Sequence, residues 1–386
     1  MKVFIADDSI LIRNIVKELL STDPSVTVVG EAANGADAVR RALELDPDIV
    51  IMDIDMPIMN GLEATARIAG ASTVPVLVFT HNADPELPFR ALRNGAVDFL
   101  LKPDFADLNK PDYVGRFIAR LKVLSARRSG TAPRPILDGG PDDHAAVRET
   151  AAHGVDARWT GTADAGKDAG RDIGHRGSPV TGADIDEFRA FMSDLPDSAL
   201  MVVGASTGGP QAVCRLLSSL PSPFSLPITL VQHIETGFDK GYADWLAEES
   251  GHRVLLAREG LAPEAGVVHV APTDLHLRLS RAGYLLDDGP KVLNQKPSVD
   301  VLFRSAAELH GPRVLGILLT GMGTDGAEGC VAIRAGGGYT VVQDESSSLI
   351  FGMPKAAIAR GAASIVLPLD KIAPFAAAVA GKHDGR

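Results

Sequence analysis

Twice along this 386-residue chain, short aliphatic runs alternate with stretches of helical periodicity, and a long segment poor in large aliphatics separates the two blocks. That alternation narrows the available folds. A short aliphatic run bounded by turn residues, without polar alternation, reads as a strand covered on both faces. Helices between such strands imply parallel connections, since each crossover returns the chain to the same end of the sheet. The expected class is α/β: two doubly wound parallel-sheet domains joined by a long linker. Residues 1–126 form the first block, 127–197 the linker and 198–386 the second block.

In the first block Val3–Ala6, Asp48–Met52, Val74–Phe79 and Val97–Leu101 are the expected strands. Ile12, Ile15, Val16, Leu19 and Leu20 form one helical stripe, and Val114, Phe117, Ile118, Leu121 and Leu124 form another. From Arg127 to Asp197, Gly, Ala, Asp, Arg and Pro dominate. Such a segment buries too little apolar surface to offset chain entropy, so a flexible linker is expected, with a short helix over Asp184–Met192. His144, His153 and His175 fall there, too widely spaced for a metal site.

Composition excludes several classes of function. A net charge of -11 is unsuited to binding nucleic acid or an anionic membrane surface. No apolar run approaches the ~18 residues that span a bilayer, and the opening residues lack the apolar core of a signal peptide. Cys214 and Cys330 lie among apolar neighbours in helical patterns, so buried thiols are expected rather than a disulfide or metal site. A cytoplasmic protein without membrane insertion is the expectation.

Functional groups in an open parallel sheet gather beyond the carboxyl ends of its strands. In the first block those ends carry Asp7, Asp8, Asp53, Thr80 and Lys102. Three carboxylates repel one another unless a hard cation sits among them. Mg²⁺ fits, with Asp7, Asp8 and Asp53 as the metal-binding set. A lysine and a hydroxyl beside the cluster suit an incoming phosphoryl group, with Asp53 as acceptor. Over residues 1–126 the chain resembles a response-regulator receiver domain, which is flavodoxin-like in fold. The matching residues are Asp7, Asp8, Asp53, Thr80, Phe99 and Lys102. The resemblance implies phosphotransfer from a chemotaxis-type histidine kinase, and a switch through Thr80, Phe99 and Lys102.

In the second block Ala199–Val203 runs into Gly204-Ala-Ser206-Thr-Gly208, Ile228–Val231 into Gln232-His233, and Val314–Thr320 into Gly321-Met-Gly-Thr-Asp325-Gly326. Ser, His and Asp at three strand ends are the parts of a nucleophilic hydrolase. The G-x-S-x-G turn between strand and helix pushes a hydroxyl outward, and backbone N–H groups at a helix start can receive an oxyanion. The chain order Ser, His, Asp differs from that of the common α/β-hydrolases. A competing reading exists: Gly321–Gly326 is also a literal G-x-G-x-x-G, with Asp344 placed as a ribose-binding acid.

Residues 198–382 resemble the catalytic domain of chemotaxis-type protein-glutamate methylesterases, which are also glutamine deamidases. The resemblance rests on Gly204–Gly209, Gln232-His233, Lys296–Phe303, Leu319–Ala327 and Phe351–Pro354. It implies a Rossmann-like α/β esterase domain that needs no cofactor, with Ser206 as nucleophile, His233 as base, Asp325 as orienting acid, and Thr207 and Met322 near the oxyanion. It implies methyl-accepting chemoreceptors as substrate. It further implies that the unphosphorylated receiver covers the active site; the alternative is a receiver that mainly recruits the chain to a kinase complex. A phosphorylation-controlled interaction protein with a vestigial esterase site also stays open. Lys296 stands where the family pattern leads one to expect arginine, and lysine supplies only a point charge. The linker is longer than is usual in the family.

Overall fold

The computed structural model describes residues 1–81, 84, 86–103, 111–126, 180–181 and 199–381. The first block contains β1 (Lys2–Ala6), α1 (Ile10–Ser21), β2 (Thr27–Ala32), α2 (Gly35–Leu45), β3 (Ile49–Met52), α3 (Gly61–Ala71), β4 (Val76–Thr80), α4 (Leu87–Arg93), β5 (Asp98–Leu101) and α5 (Pro111–Ser125). Its five strands are all parallel, in the order β2-β1-β3-β4-β5. The order reverses between β1 and β3, and the crevice opens at their carboxyl ends. Three of the helices that follow strands start on side-chain caps, Ser9, Asn34 and Asn60, each accepting from an amide of its first turn. The edge strand β2 lacks an aliphatic run because most of its residues are partly exposed.

The second block contains β7 (Leu200–Ala205), α6 (Gly209–Ser218), β8 (Ile228–Gln232), α7 (Asp239–Ser250), β9 (Arg253–Leu256) and β10 (Val267–Val270). A hairpin of β11 (His276–Ser280) and β12 (Gly283–Asp287) follows, then α8 (Val299–His310), β13 (Val314–Leu318), α9 (Ala327–Ala335), β14 (Tyr339–Gln343), α10 (Met353–Ala359), β15 (Ile365–Leu367) and α11 (Leu369–Gly381). These strands, without the hairpin, form a parallel sheet in the order β15-β14-β13-β7-β8-β10-β9. The chain runs outward from β7 to β10, then crosses back to lay β13 on the other side of β7. That reversal places the second crevice beside β7. The antiparallel β11–β12 hairpin departs from simple strand–helix alternation and packs on α8, with Leu277, Leu279 and Tyr284 in the core.

Within the expected linker, Val180–Thr181 form a short strand, β6, paired parallel to β15. It makes the sheet eight-stranded among the described residues. The expected helix at Asp184–Met192 and the three linker histidines lie outside the described residues. Cys214 and Cys330 are both free and buried, and burial pushes the Cys214 thiol up to about 12. Neither is a nucleophile at neutral pH.

Candidate active site and phosphoacceptor centre

The register of β7 and β8 pairs Ala205 with Gln232, so the next residues, Ser206 and His233, leave adjacent strands side by side. The bond from His233 N–H to Ala205 O extends the ladder one step further, at 3.0 Å. On the other side Ser206 N–H donates to Thr320 O at 3.0 Å, tying the serine to the end of the β13 segment. Two glycines make this possible. Gly208, at φ 75°, is the left-handed N-cap of α6. A side chain on Gly321 would drive its Cβ to 2.7 Å from Ser206 Cβ.

Asp325 lies in the loop between β13 and α9 and is 2% exposed. Its Oδ2 is 2.8 Å from His233 Nε2. A carboxylate only accepts, so His233 carries its proton on Nε2 in this pair, and Nδ1 is the ring atom left to act as base. Nδ1 is buried and has no hydrogen-bond partner among the described residues. Asp325 accepts four further bonds, from Ser298 Oγ, Val299 N–H, Asp300 N–H and Gly326 N–H, at 2.8 to 3.0 Å. Burial works against its charge, but the bonds from His233, Asp300 and Ser298 outweigh that and hold its carboxyl below the usual range.

Thr207 is buried, and its carbonyl accepts from Thr320 Oγ1 at 3.0 Å. Met322 is 39% exposed, on the loop that leads to Asp325. Gln232 is a functional candidate whose role the sequence did not disclose. Its buried amide donates to Ser206 O at 2.7 Å and to His233 O at 3.0 Å, bracing both chain segments. The signal was its place beside His233. The dinucleotide reading of Gly321–Gly326 does not survive the geometry. Asp344 is engaged by the hydroxyls of Ser346 and Ser347 in its own turn, and Met353 and Ser206 fill the space above Gly321. Among the described residues Lys296 pairs with one carboxylate, Asp288 at 2.7 Å, in the loop ahead of α8.

In the first block Asp7, Asp8 and Asp53 present oxygens within 4.8 Å of one another. Lys102 Nζ reaches Asp7 at 2.8 Å and Asp53 at 2.9 Å. Burial pushes the Asp53 carboxyl up to about 6, against the pull of Lys102 and with a further push from Asp7. Hard oxygen donors with an unrelieved negative excess suit a small divalent cation. Thr80 is buried at the end of β4, with its hydroxyl 3.3 Å from His81 O.

The two blocks share a core. Phe89 of α4 stacks on Trp245 of α7 at 5.7 Å and lies 5.6 Å from Tyr242. Phe99 packs edge-on against Phe89 and lies 5.8 Å from Phe238, at the start of α7. Gln211 of α6 donates to Ala96 O at 2.7 Å, and Arg93 pairs with Glu248 and Glu249. Leu349, in the loop after β14, lies over Gly208 and also packs against the core of the first block. The first block therefore sits on α6 and α7, the helices that follow the serine- and histidine-bearing strands, and on the rim of the crevice.

Comparison with known proteins agrees with this division. Residues 3–110 match the response regulator receiver domain model, and residues 201–376 match the CheB methylesterase model. A protein-glutamate methylesterase/protein-glutamine glutaminase of Pseudomonas fluorescens is 37% identical, over 97% of this chain and 98% of its own length. A namesake from Pyrococcus horikoshii is 32% identical over 96% of this chain and 91% of its own. The crystal structure of the Thermotoga maritima CheB methylesterase catalytic domain is 36% identical, covering 47% of this chain and 98% of that one, with a TM-score of 0.45. With a parallel-sheet receiver and a parallel-sheet esterase domain in one chain, and relatives matched almost end to end, this protein belongs to the protein-glutamate methylesterase/protein-glutamine glutaminase family.

Proposed function

We propose that this chain hydrolyses the γ-methyl esters of glutamyl side chains on methyl-accepting chemoreceptors, releasing methanol, and converts selected receptor glutamines to glutamate. The observation that carries the reading is the buried His233–Asp325 pair at the end of β8, beside Ser206 at the end of β7. Ser206 Oγ attacks the ester carbonyl carbon while His233 Nδ1 takes its proton. Asp325 steadies the imidazolium and never needs to be protonated itself. Collapse of the tetrahedral intermediate breaks the bond to the methoxy oxygen, which leaves as methanol with the proton from His233. Water, deprotonated by the same nitrogen, then attacks the acyl-serine, and glutamate departs as Ser206 recovers its proton. A γ-carboxamide follows the same steps with ammonia as leaving group. We assign Thr207 and Met322 to the oxyanion, as the residues that follow the nucleophile and line the facing loop.

Asp53 is the proposed phosphoacceptor, receiving the phosphoryl group from a chemotaxis-type histidine kinase. Asp7, Asp8 and Asp53 would hold Mg²⁺, which supplies charge neutralisation at the phosphoryl oxygens; Lys102 and Thr80 complete the oxygen contacts. Phe99 packs against Phe238, so a rearrangement of Thr80 and Phe99 on phosphorylation would loosen the receiver from α7. Occlusion is favoured over simple recruitment by Leu349, which joins the receiver core to the serine turn. We place the protein in the cytoplasm, where kinase and receptor signalling regions meet. Among the described residues, no helix is long and apolar enough to cross a membrane.

Ser206→Ala is expected to abolish methanol release from methylated receptor membranes while leaving Asp53 phosphorylation intact. Turnover retained in that variant would exclude the serine mechanism.

A further inference from the structure

The segment Lys296–Phe303 carries part of the family resemblance, yet none of its residues enters the steps above. It opens α8, and its position against the triad gives it a task. Ser298 is the N-cap of α8, but its hydroxyl does not cap its own helix. It donates instead to Asp325 Oδ1 at 2.8 Å, while Val299 N–H donates to Oδ2 at 2.8 Å and Asp300 N–H to Oδ1 at 3.0 Å. The carboxylate of Asp325 thus occupies the N-terminus of α8. The exchange is reciprocal. Asp300, itself 2% exposed, accepts from Gly329 N–H at 2.7 Å in the first turn of α9, the helix that Asp325 precedes.

Behind Ser298 stands His276, from the β11–β12 hairpin. Ser298 N–H lies 3.2 Å from His276 Nδ1, and His276 Nε2 lies 3.0 Å from Pro290 O. An amide only donates and a carbonyl only accepts, so Nδ1 must be bare and Nε2 must carry the proton. The ring is held as one neutral tautomer. His276 is 2% exposed and Ser298 is fully buried, so these bonds are shielded from bulk solvent.

We propose that Ser298 and His276 are positioning residues for the hydrolytic reaction: His276 fixes Ser298, and Ser298 anchors Oδ1 of the Asp325 carboxylate while Oδ2 faces His233 Nε2. The proposal rests on the triad reading above. The backbone donors serve both oxygens and set the carboxylate plane, and the Ser298 hydroxyl adds a further donor on Oδ1, the oxygen turned away from His233. The hydroxyl of Ser298 is the donor that a side-chain change can remove without altering the backbone. His276 reaches the triad from a hairpin outside the main sheet, so the base is aligned by an element that carries no reacting group.

The test uses the full chain with phosphodonor and Mg²⁺, methylated receptor membranes as substrate, and Ser298→Ala, Ser298→Thr, His276→Leu and His276→Asn. Removing a hydrogen bond to a buried carboxylate should lower kcat for methanol release about tenfold or more, with KM within about twofold. Ser298→Thr keeps the hydroxyl and should recover most of the rate. His276→Asn keeps an acceptor near Nδ1 and should outperform His276→Leu. Because the two residues act in series, Ser298→Ala with His276→Leu should fall little below the slower single variant. The downfield proton resonance of His233 Nε2–H should shift or broaden in Ser298→Ala and return in Ser298→Thr. Unchanged kcat in Ser298→Ala, an equally slow Ser298→Thr, or an unmoved His233 resonance would overturn the proposal. Ser206→Ala run in parallel separates the two readings. If it retains turnover, the triad reading fails; if it is dead while Ser298→Ala is fully active, only the positioning role fails.

Discussion

At the scale of single residues, Asp53 is a carboxylate whose surroundings oppose its charge. Its carboxyl stands near 3.8 in an unfolded chain and is pushed to about 6 in the fold, first by burial. Between those values the unfolded chain has lost its proton and the native receiver has kept it. Stability therefore falls as pH rises through that window, by up to about 3 kcal/mol without a metal ion. Asp53→Asn removes the penalty. In chelator-containing buffer its Tm relative to the parent is expected to be higher at pH 7.5 than at pH 4.5. A difference independent of pH would mean that Lys102 already neutralises the site. Asp325 shows the opposite balance. It is as buried as Asp53, but five donors converge on it, and its charge persists. At Asp53 burial won over its few donors; at Asp325 the converging donors outweighed it.

At the scale of elements, helices α4 and α7 hold the two domains together through aromatic faces rather than through charge. Phe89 meets Trp245 and Tyr242 there, and burial of such rings outweighs the half-exposed Arg93 pairs beside them. Trp245 Nε1 and Tyr242 OH are buried without hydrogen-bond partners among the described residues, which weakens an otherwise apolar contact. Phe89→Ala is expected to cost about 2 kcal/mol or more of docking free energy. Where the undocked form is rare, that raises its population roughly thirtyfold. Methanol release without phosphodonor should then rise toward the donor-stimulated rate. A basal rate identical to the parent would show that this contact does not restrain the esterase. Arg93→Ala should change the basal rate far less, within about twofold.

At the scale of the whole molecule, the receiver is seated on the helices behind Ser206 and His233 and on the loop carrying Leu349. Occlusion then predicts that the fragment 198–386 turns over receptor esters faster than the unphosphorylated full chain. Equal rates would favour recruitment as the receiver's role. Much of this organisation was legible in the sequence because parallel sheets impose a simple rule. Strands covered on both faces read as aliphatic runs, and the residue just past each run stands at the functional edge. Asp53, Thr80, Ser206 and His233 follow that rule, each ending a strand or leaving its last residue. The edge strand β2 escaped it, since one side faces solvent and its residues are mixed. The β11–β12 hairpin escaped it too, and with it His276, because antiparallel strands need no crossover helix to mark them. Val180–Thr181 lie in a segment whose composition reads as linker, and only the free edge of β15 gives them a partner.

The sequence by itself therefore determined the two α/β blocks, the carboxylate cluster, and which strand ends carry serine, histidine and aspartate. These follow from local periodicity and from residue type, which act over a few positions along the chain. Tertiary structure alone decided which nitrogen of His233 meets Asp325, which groups hold that carboxylate, and which receiver face covers the esterase. Those depend on strand order and on the meeting of helices far apart in the chain. Ser298 lies 27 residues from Asp325, and Phe89 more than 150 from Trp245; only the folded sheet brings either pair into contact.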